Sequence, residues 1–222
     1  MDGLTAGMPA KGVYKMPGLI AAGHHSIADW DFELPDTYYS LSPDEYVSAP
    51  TSLRFSGLPA NKPCTVLCRI PETLCLPQGE VRTYHHTPTK QFFPAVFRNQ
   101  APLGSSHYWD AYVMGCFSDK ARFGYWSGGV YWQISEQPCP TPVDQWNHWR
   151  IFWYNGKTPA ELPSLCVDLY REITGEWVKQ GTTFYHPANL WKDSEINRCG
   201  FYDFIRSGEA HFVDNTEIWG PV

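Results

Sequence analysis

The chain has 222 residues, a net charge of −6 and 16% aromatic residues, including ten Trp. Such aromatic content excludes a disordered chain, and abundant Gly and Pro speak against a helical bundle built on Ala, Leu, Glu and Lys. Lys and Arg total 17 against 23 Asp and Glu, which disfavours nucleic-acid binding, because phosphate affinity needs clustered basic residues.

Residues 1–28 are rich in Gly, Ala, Met and Pro with no period of 2 or 3.6, and read as an extended, irregular arm. Pro17 and Gly18 interrupt the short apolar stretch 19–22, so no secretory leader is expected. No run approaches the roughly 18 apolar residues of a membrane span. The chain is expected to be made in the cytoplasm, and either to stay in the cell that makes it or to leave by another route, such as incorporation into a virion or another extracellular assembly. Trp30-Asp31-Phe32-Glu33-Leu34 then alternates apolar with acidic residues, as a half-buried strand does. Pro-marked turns follow at 35–36 and 42–44.

Strands are expected over 52–56, 65–69, 79–86, 95–99, 108–117, 121–127, 130–135, 146–154, 164–172, 176–181, 197–205 and 212–218. Turn residues separate them. Ser127-Gly128-Gly129-Val130 and Ile173-Thr174-Gly175-Glu176 are tight-hairpin sequences, because Gly supplies the positive φ of primed turns. Only 189–195 has the composition for a helical turn or two. The strand Trp149-Arg150-Ile151-Phe152-Trp153-Tyr154 is apolar on both phases, the mark of a strand covered on both faces or lining a groove. A dozen strands favour two stacked sheets over one open sheet. Residues 29–222 are therefore expected to form a single all-β, two-sheet antiparallel sandwich, with 1–28 as its arm.

Seven cysteines are an odd number, so complete internal pairing is impossible. Cys64, Cys68 and Cys75 precede His85 and His86 but lack zinc-site spacing, and Cys116, Cys166 and Cys199 sit in apolar strands. Free thiols formed in a reducing compartment are the simpler reading; one or more disulfides remain the alternative.

Several segments resemble one known group. Gln145-Trp146-Asn147-His148-Trp149-Arg150-Ile151-Phe152-Trp153 is similar to a strand of concanavalin A-like lectin/glucanase domains, which include laminin G-like modules. Leu165-Cys166-Val167-Asp168-Leu169-Tyr170 and Gly175-Glu176-Trp177-Val178 resemble the next hairpin, and Asn197-Arg198-Cys199-Gly200-Phe201 the strand after it. Phe212-Val213-Asp214-Asn215-Thr216-Glu217-Ile218 resembles the terminal strand. Trp30-Asp31-Phe32-Glu33-Leu34 and Ser52-Leu53-Arg54-Phe55 resemble the opening pair. The resemblance covers about residues 29–219 and implies a jelly roll. It leaves function open, because that architecture hosts lectins, glycanases, lyases and structural modules.

Glycan hydrolysis needs two facing carboxylates, about 5–5.5 Å apart for retention or about 6.5–9.5 Å for inversion. The E-x-D-x-x-E string of glucanases on this fold is absent, and the nearest acid pairs are Glu172 with Glu176 and Asp31 with Glu33. Alginate lyases of the fold use an Arg, a Gln, a His and a Tyr. Residues 79–86 and Tyr131-Trp132-Gln133-Ile134 supply similar types in another order. His85 and His86 read as a strand end with one ring buried and one wet. The resemblance implies a structural calcium where first and last strands meet, at Glu33 and Asp214; the plainer reading of Asp214-Asn215 is a turn or cap of the last strand. No cofactor is otherwise required. Sugar binding would use an aromatic platform with polar neighbours, for which Tyr108, Trp109, Asp110, Tyr125, Trp126 and Trp132 are the candidates. The competing reading is that these rings belong to the core.

Together these readings favour a non-enzymatic structural or recognition protein, such as a decoration, fibre or tail component. Its arm would dock on another copy or a neighbouring subunit, with glycan binding as an attached activity. A polysaccharide lyase or hydrolase on the same fold is the alternative. Neither nucleic acid nor membrane is an expected partner.

Overall fold

The computed structural model describes residues 17–23, 30–33, 35–47, 51–57, 62–69, 75–89, 91–102, 110–205 and 207–221. Its strands are β1 Pro17–Gly23, β2 Trp30–Phe32, β3 Tyr39–Ser42, β4 Ser52–Phe55, β5 Lys62–Cys68, β6 Gly79–His86, β7 Gln91–Asn99 and β8 Ala111–Phe117. They continue as β9 Lys120–Ser127, β10 Val130–Pro138, β11 Trp146–Lys157, β12 Pro163–Ile173, β13 Glu176–Lys179, β14 Phe184–His186, β15 Arg198–Ile205 and β16 His211–Pro221. One sheet has nine strands in the order β13-β12-β11-β6-β16-β4-β3, with β1 beside β16 and β14 beside β12. The other has seven in the order β10-β9-β8-β7-β15-β5-β2. All strand pairs are antiparallel, giving the expected two-sheet sandwich. No helix among the described residues is long and apolar enough to cross a membrane.

The alternation of the sequence explains the layering. β11 turns Trp149, Ile151 and Trp153 inward, beside Val81 of β6 and Leu165, Val167 and Leu169 of β12. Phe97, Tyr112, Met114 and Phe123 of the seven-stranded sheet meet them, and Phe97 stacks on Trp153 with centroids 4.9 Å apart. Each fully buried Leu or Phe in such a layer contributes roughly 1.5–3 kcal/mol. Cys116, Cys139, Cys166 and Cys199 are buried free thiols, while Cys75 is exposed.

The hairpins follow the turn chemistry. Ser127 pairs with Val130 across Gly128 and Gly129, whose φ values are 56° and 82°. Ile173 pairs with Glu176 across Thr174 and Gly175, at 52° and 85°. Two expectations are revised. Pro17–Gly23, placed in the irregular arm, pairs with β16 as a strand, while residues 1–16 lie outside the described residues. The stretch 189–195 forms turns and no helix, because Asn189 and Trp191 take left-handed φ values of 46° and 56°.

Two buried arginines fasten the loops. Arg198 donates to Asp31 Oδ2 at 2.5 Å and to the carbonyls of Cys68 and Pro102 at 3.1 and 3.2 Å. Arg98 donates to the carbonyls of Pro77 and Leu190 and to the amide oxygens of Asn155 and Asn189, all within 2.6–2.9 Å. Burial pulls its pKa down to about 10, so it remains charged at neutral pH.

Gly200 of β15 pairs with Leu67 of β5 on one side and Val96 of β7 on the other. A Cβ there would lie 1.9 Å from the Val66 carbonyl oxygen, a backbone atom that cannot swing aside. Gly200→Ala is therefore expected to cost about 3 kcal/mol. A urea unfolding midpoint equal to that of the unaltered chain would disprove this account of the strand.

Candidate functional site

The outer face of the nine-stranded sheet carries polar and aromatic side chains on five adjacent strands. β6 sends Gly79, Val81, Thr83 and His85 to one side and Glu80, Arg82, Tyr84 and His86 to the other, as period 2 requires. Neighbouring strands present their own outward phases in register. Residues opposite one another therefore line up as rungs across the sheet.

Four rungs make up the face. In the first, Phe212 of β16, His86 and Trp146 of β11 meet edge to face, at centroid distances of 5.9 and 5.6 Å. In the second, Asp214, Tyr84, His148, Glu172 and Trp177 run from β16 through β6, β11 and β12 to β13. Glu217, Arg82, Arg150, Tyr170 and Lys179 form the third. The fourth holds Trp219, Glu80, Phe152 and Asp168. Phe152 of this rung joins Tyr154 and Cys166 beyond it, and the three close the face as a small apolar cluster.

Part of the charge on this face is paired. Glu80 is fully buried; Arg82 Nε bonds one of its oxygens, and Arg150 Nη2 donates to the other at 2.9 Å. Arg82 also lies over the Trp219 ring, 4.2 Å from its centroid, and Trp219 Nε1 donates to Glu217 at 2.9 Å. Lys179 binds the buried Asp168 at 2.6 Å.

The second rung has the features of an acid–base site. His148 stacks on Tyr84 with centroids 3.7 Å apart and an interplanar angle of 13°, and Trp177 tilts against it at 4.5 Å. His148 Nδ1 lies 2.5 Å from Glu172 Oε2. Burial lowers the His148 pKa below its ordinary value, an effect that Glu172 opposes without reversing. The neutral ring therefore dominates at pH 7, with Nδ1–H donated to the carboxylate and Nε2 left as an acceptor. Burial raises the Tyr84 pKa, and the nearby charges of Glu172, Glu217 and Asp214 raise it further, so its phenol stays protonated.

Of the residues singled out from sequence, Asp214, Glu172 and His86 lie on this face, and the aromatic candidates lie elsewhere or outside the described residues. Tyr108 and Trp109 lie outside the described residues. Asp110 accepts the Gly128 N–H at 3.3 Å and so braces the β9–β10 hairpin. Tyr125 packs against the main core, whereas Trp126 joins Tyr131 at 5.4 Å on the outer side of the seven-stranded sheet. Trp132 is opposite Tyr125 and 53% exposed. These aromatics thus occupy both faces of their sheet and form no common platform.

Glu33 and Asp214 lie on or beside strands of different sheets. Glu33 Oε2 accepts the Thr65 N–H at 3.1 Å, and Asp214 Oδ2 accepts the Val47 N–H at 2.8 Å. The described residues contain no group of three His, Cys, Asp or Glu side chains arranged to hold a metal. Glu172 and Glu176 face opposite ways, because Glu172 is opposite Trp177 and Glu176 is opposite Ile173. Asp31 is held by Arg198 and Arg69. His85 is buried against Phe201 and His86 is half-buried.

The face on β6, β11, β12, β13 and β16 went unrecognised as a unit in the sequence. Its signal was present as polar residues on alternate positions, in 80–86 and in 148–150. The adjacency of those strands was absent.

No family model matches the chain, and no curated protein matches it in sequence. Solved structures do share its fold. The VIP36 exoplasmic/lumenal domain in its Ca2+/Man3GlcNAc-bound form is 8% identical with a TM-score of 0.53, covering 88% of this chain and 86% of that one. Lectin UEA-II complexed with galactose is 12% identical with a TM-score of 0.51, covering 87% and 93%. Alginate lyase vAL-1 from Chlorella virus is 9% identical with a TM-score of 0.50, covering 90% and 99%. The chain therefore has a concanavalin A-like jelly-roll sandwich fold, and at these identities the likeness concerns fold alone.

The burial of His148 has a consequence for pH. Its folded pKa lies below the unfolded value of about 6.5, so the unfolded chain binds more protons in between. The resulting stability is complete above pH ~6.5 and is lost as pH falls through the folded pKa. Between pH 7 and 5, His148→Gln is expected to lose less stability than the unaltered chain. Parallel unfolding free energies for the two over that range would refute the assignment.

Proposed function

We propose that the protein is a carbohydrate-recognition module that binds a glycan across the outer face of the nine-stranded sheet. The observation that carries this reading is the second rung, where the half-buried rings of Tyr84, His148 and Trp177 lie in line with Glu172 and beside Arg82 and Glu217. Aromatic faces take the apolar side of a sugar ring, and paired polar groups exchange hydrogen bonds with its hydroxyls.

Charge selects among glycans. The second to fourth rungs carry five carboxylates (Asp214, Glu172, Glu217, Glu80, Asp168) against three cations (Arg82, Arg150, Lys179), with His148 neutral. This excess of negative charge opposes a polyuronate and favours a neutral glycan. Lectin and carbohydrate-active neighbours on the same fold agree with the reading without deciding it. The setting we propose is a surface or virion assembly in which the segment before β1 engages another copy or a neighbouring subunit. The pairing of β1 with β16 supports this by fixing Pro17–Gly23, the described part of the N-terminal arm, on the sandwich.

A second reading is favoured by one contact. The His148–Glu172 hydrogen bond, next to a protonated phenol, is the arrangement of an oriented base and a nearby acid, which suits a glycan-cleaving enzyme.

Titration calorimetry against neutral and uronate oligosaccharides tests the main reading. Trp177→Ala should weaken binding of a neutral oligosaccharide about tenfold, or ~1.4 kcal/mol, with the unfolding midpoint preserved. Tighter binding of uronates, or binding unaffected by Trp177→Ala, would overturn it. Turnover of a polysaccharide panel that disappears in His148→Ala would decide for the enzyme.

A further inference from the structure

Cys116 lies on β8, and Cys139 follows the last residue of β10. Their Sγ atoms are 3.8 Å apart and both side chains are fully buried. A disulfide needs an S–S separation of about 2.0 Å, so the sulfurs must approach by roughly 1.8 Å, a movement within the range of side-chain rotation. We propose that Cys116 and Cys139 are a redox-responsive pair, thiols under reducing conditions and a disulfide once the protein meets a small-molecule disulfide oxidant.

The two thiols have different surroundings. Burial holds Cys116 firmly in its protonated form. Cys139 is pushed below the usual thiol value, first by the Cys116 thiol and further by Thr141 and Arg171. Cys139 is accordingly the attacking sulfur. Its thiolate displaces one thiolate from the oxidant R–S–S–R and forms a mixed disulfide. Cys116 then gives its proton to the released thiolate and attacks the Cys139 sulfur, expelling the second. Two protein thiols lose two electrons and two protons, and one R–S–S–R becomes two R–SH. Because β10 is the edge strand of its sheet, local opening there gives the oxidant access.

The bond would fasten a crossover. The chain after β10 passes from the seven-stranded to the nine-stranded sheet, which it enters at Trp146 of β11. Arg171 Nη1 donates to the Pro140 carbonyl at 3.1 Å, and Gln137 Oε1 accepts the Thr182 N–H at 2.6 Å. Cys139 Sγ contacts Gln180 Oε1 at 3.8 Å, one residue beyond the strand that carries Trp177. Oxidation would close a covalent ring around β9 and β10 and anchor this strap to β8.

The test uses the full chain, reduced and then exposed to excess oxidised glutathione until the exposed Cys75 is fully converted to its mixed disulfide. Alkylation and peptide mapping should then recover a peptide pair joined through Cys116 and Cys139. The melting temperature should rise by about 5–10 °C, reversibly with dithiothreitol. In Cys116→Ser and in Cys139→Ser the cross-link and the rise should both vanish. Recovery of Cys116 and Cys139 as thiols while Cys75 is fully modified would overturn the proposal. So would a bond from Cys139 to any other cysteine.

Discussion

The outer face of the nine-stranded sheet depends on one carboxylate. Glu80 has no contact with solvent, and both its oxygens are taken by guanidinium groups, of Arg82 on its own strand and Arg150 on the next. A lone ion at such depth costs several kcal/mol, a cost that close hydrogen-bonded partners offset. The geometry of the offset constrains everything nearby. Arg82 and Arg150 are opposite each other across the β6–β11 pair, so without Glu80 two like charges would face one another. With it, both are drawn down to the sheet. Arg82 is left over Trp219, and Arg150 is left over Tyr170 with centroid distances of 4.2 and 5.2 Å. A register slip of one residue would turn Glu80 inward, beside Ile151 and Trp153, where no cation waits. The buried pair thus specifies the register on which the aligned rungs rest.

The two faces of this sheet are held by different physics. The inner face is secured by apolar area, and its tolerance for exchange of similar shapes is correspondingly broad. The outer face is secured by directional polar contacts between half-buried groups, where loss of one partner strands the other. Arg98 extends the second mode into the loops. Its guanidinium is surrounded by carbonyl and amide oxygens from three separate stretches of chain, and it positions the 189–190 turn. That turn in turn donates the Leu190 N–H to the Tyr112 phenol, linking the loop to the core.

Strands and hairpins were legible because they are local. Period 2, the Gly pair at 128–129 and the single Gly175 identify elements from a few consecutive residues. The Trp149–Tyr154 run was also informative, since both of its phases proved to be covered, one by the core and one by outer-face neighbours. What remained hidden was long-range. Tyr84, His148 and Asp214 share a rung although β6, β11 and β16 are far apart in sequence, and no spacing rule joins them. The β12–β13 hairpin shows the same limit of local reasoning. Glu172 and Glu176 look paired across a turn, but a two-residue loop places them on opposite faces. The strand at 17–23 was missed for the reverse reason, since its Gly, Ala and Pro carry little strand preference and its place comes from pairing with β16.

If the outer face binds a glycan as proposed, the protonation state of His148 would link this architecture to ligand choice. With Nδ1–H committed to Glu172, the neutral ring offers an acceptor at Nε2, while the Tyr84 phenol retains a proton to donate. Donor and acceptor then stand side by side on stacked rings. A sugar hydroxyl both donates and accepts, so it matches such a pair; a carboxylate only accepts and would lose half the match. Protonating His148 converts the acceptor to a donor and removes one of the negative excess on the face. On the proposed reading, a preference against anionic glycans would weaken toward acid, through the same desolvation that keeps the ring neutral at pH 7.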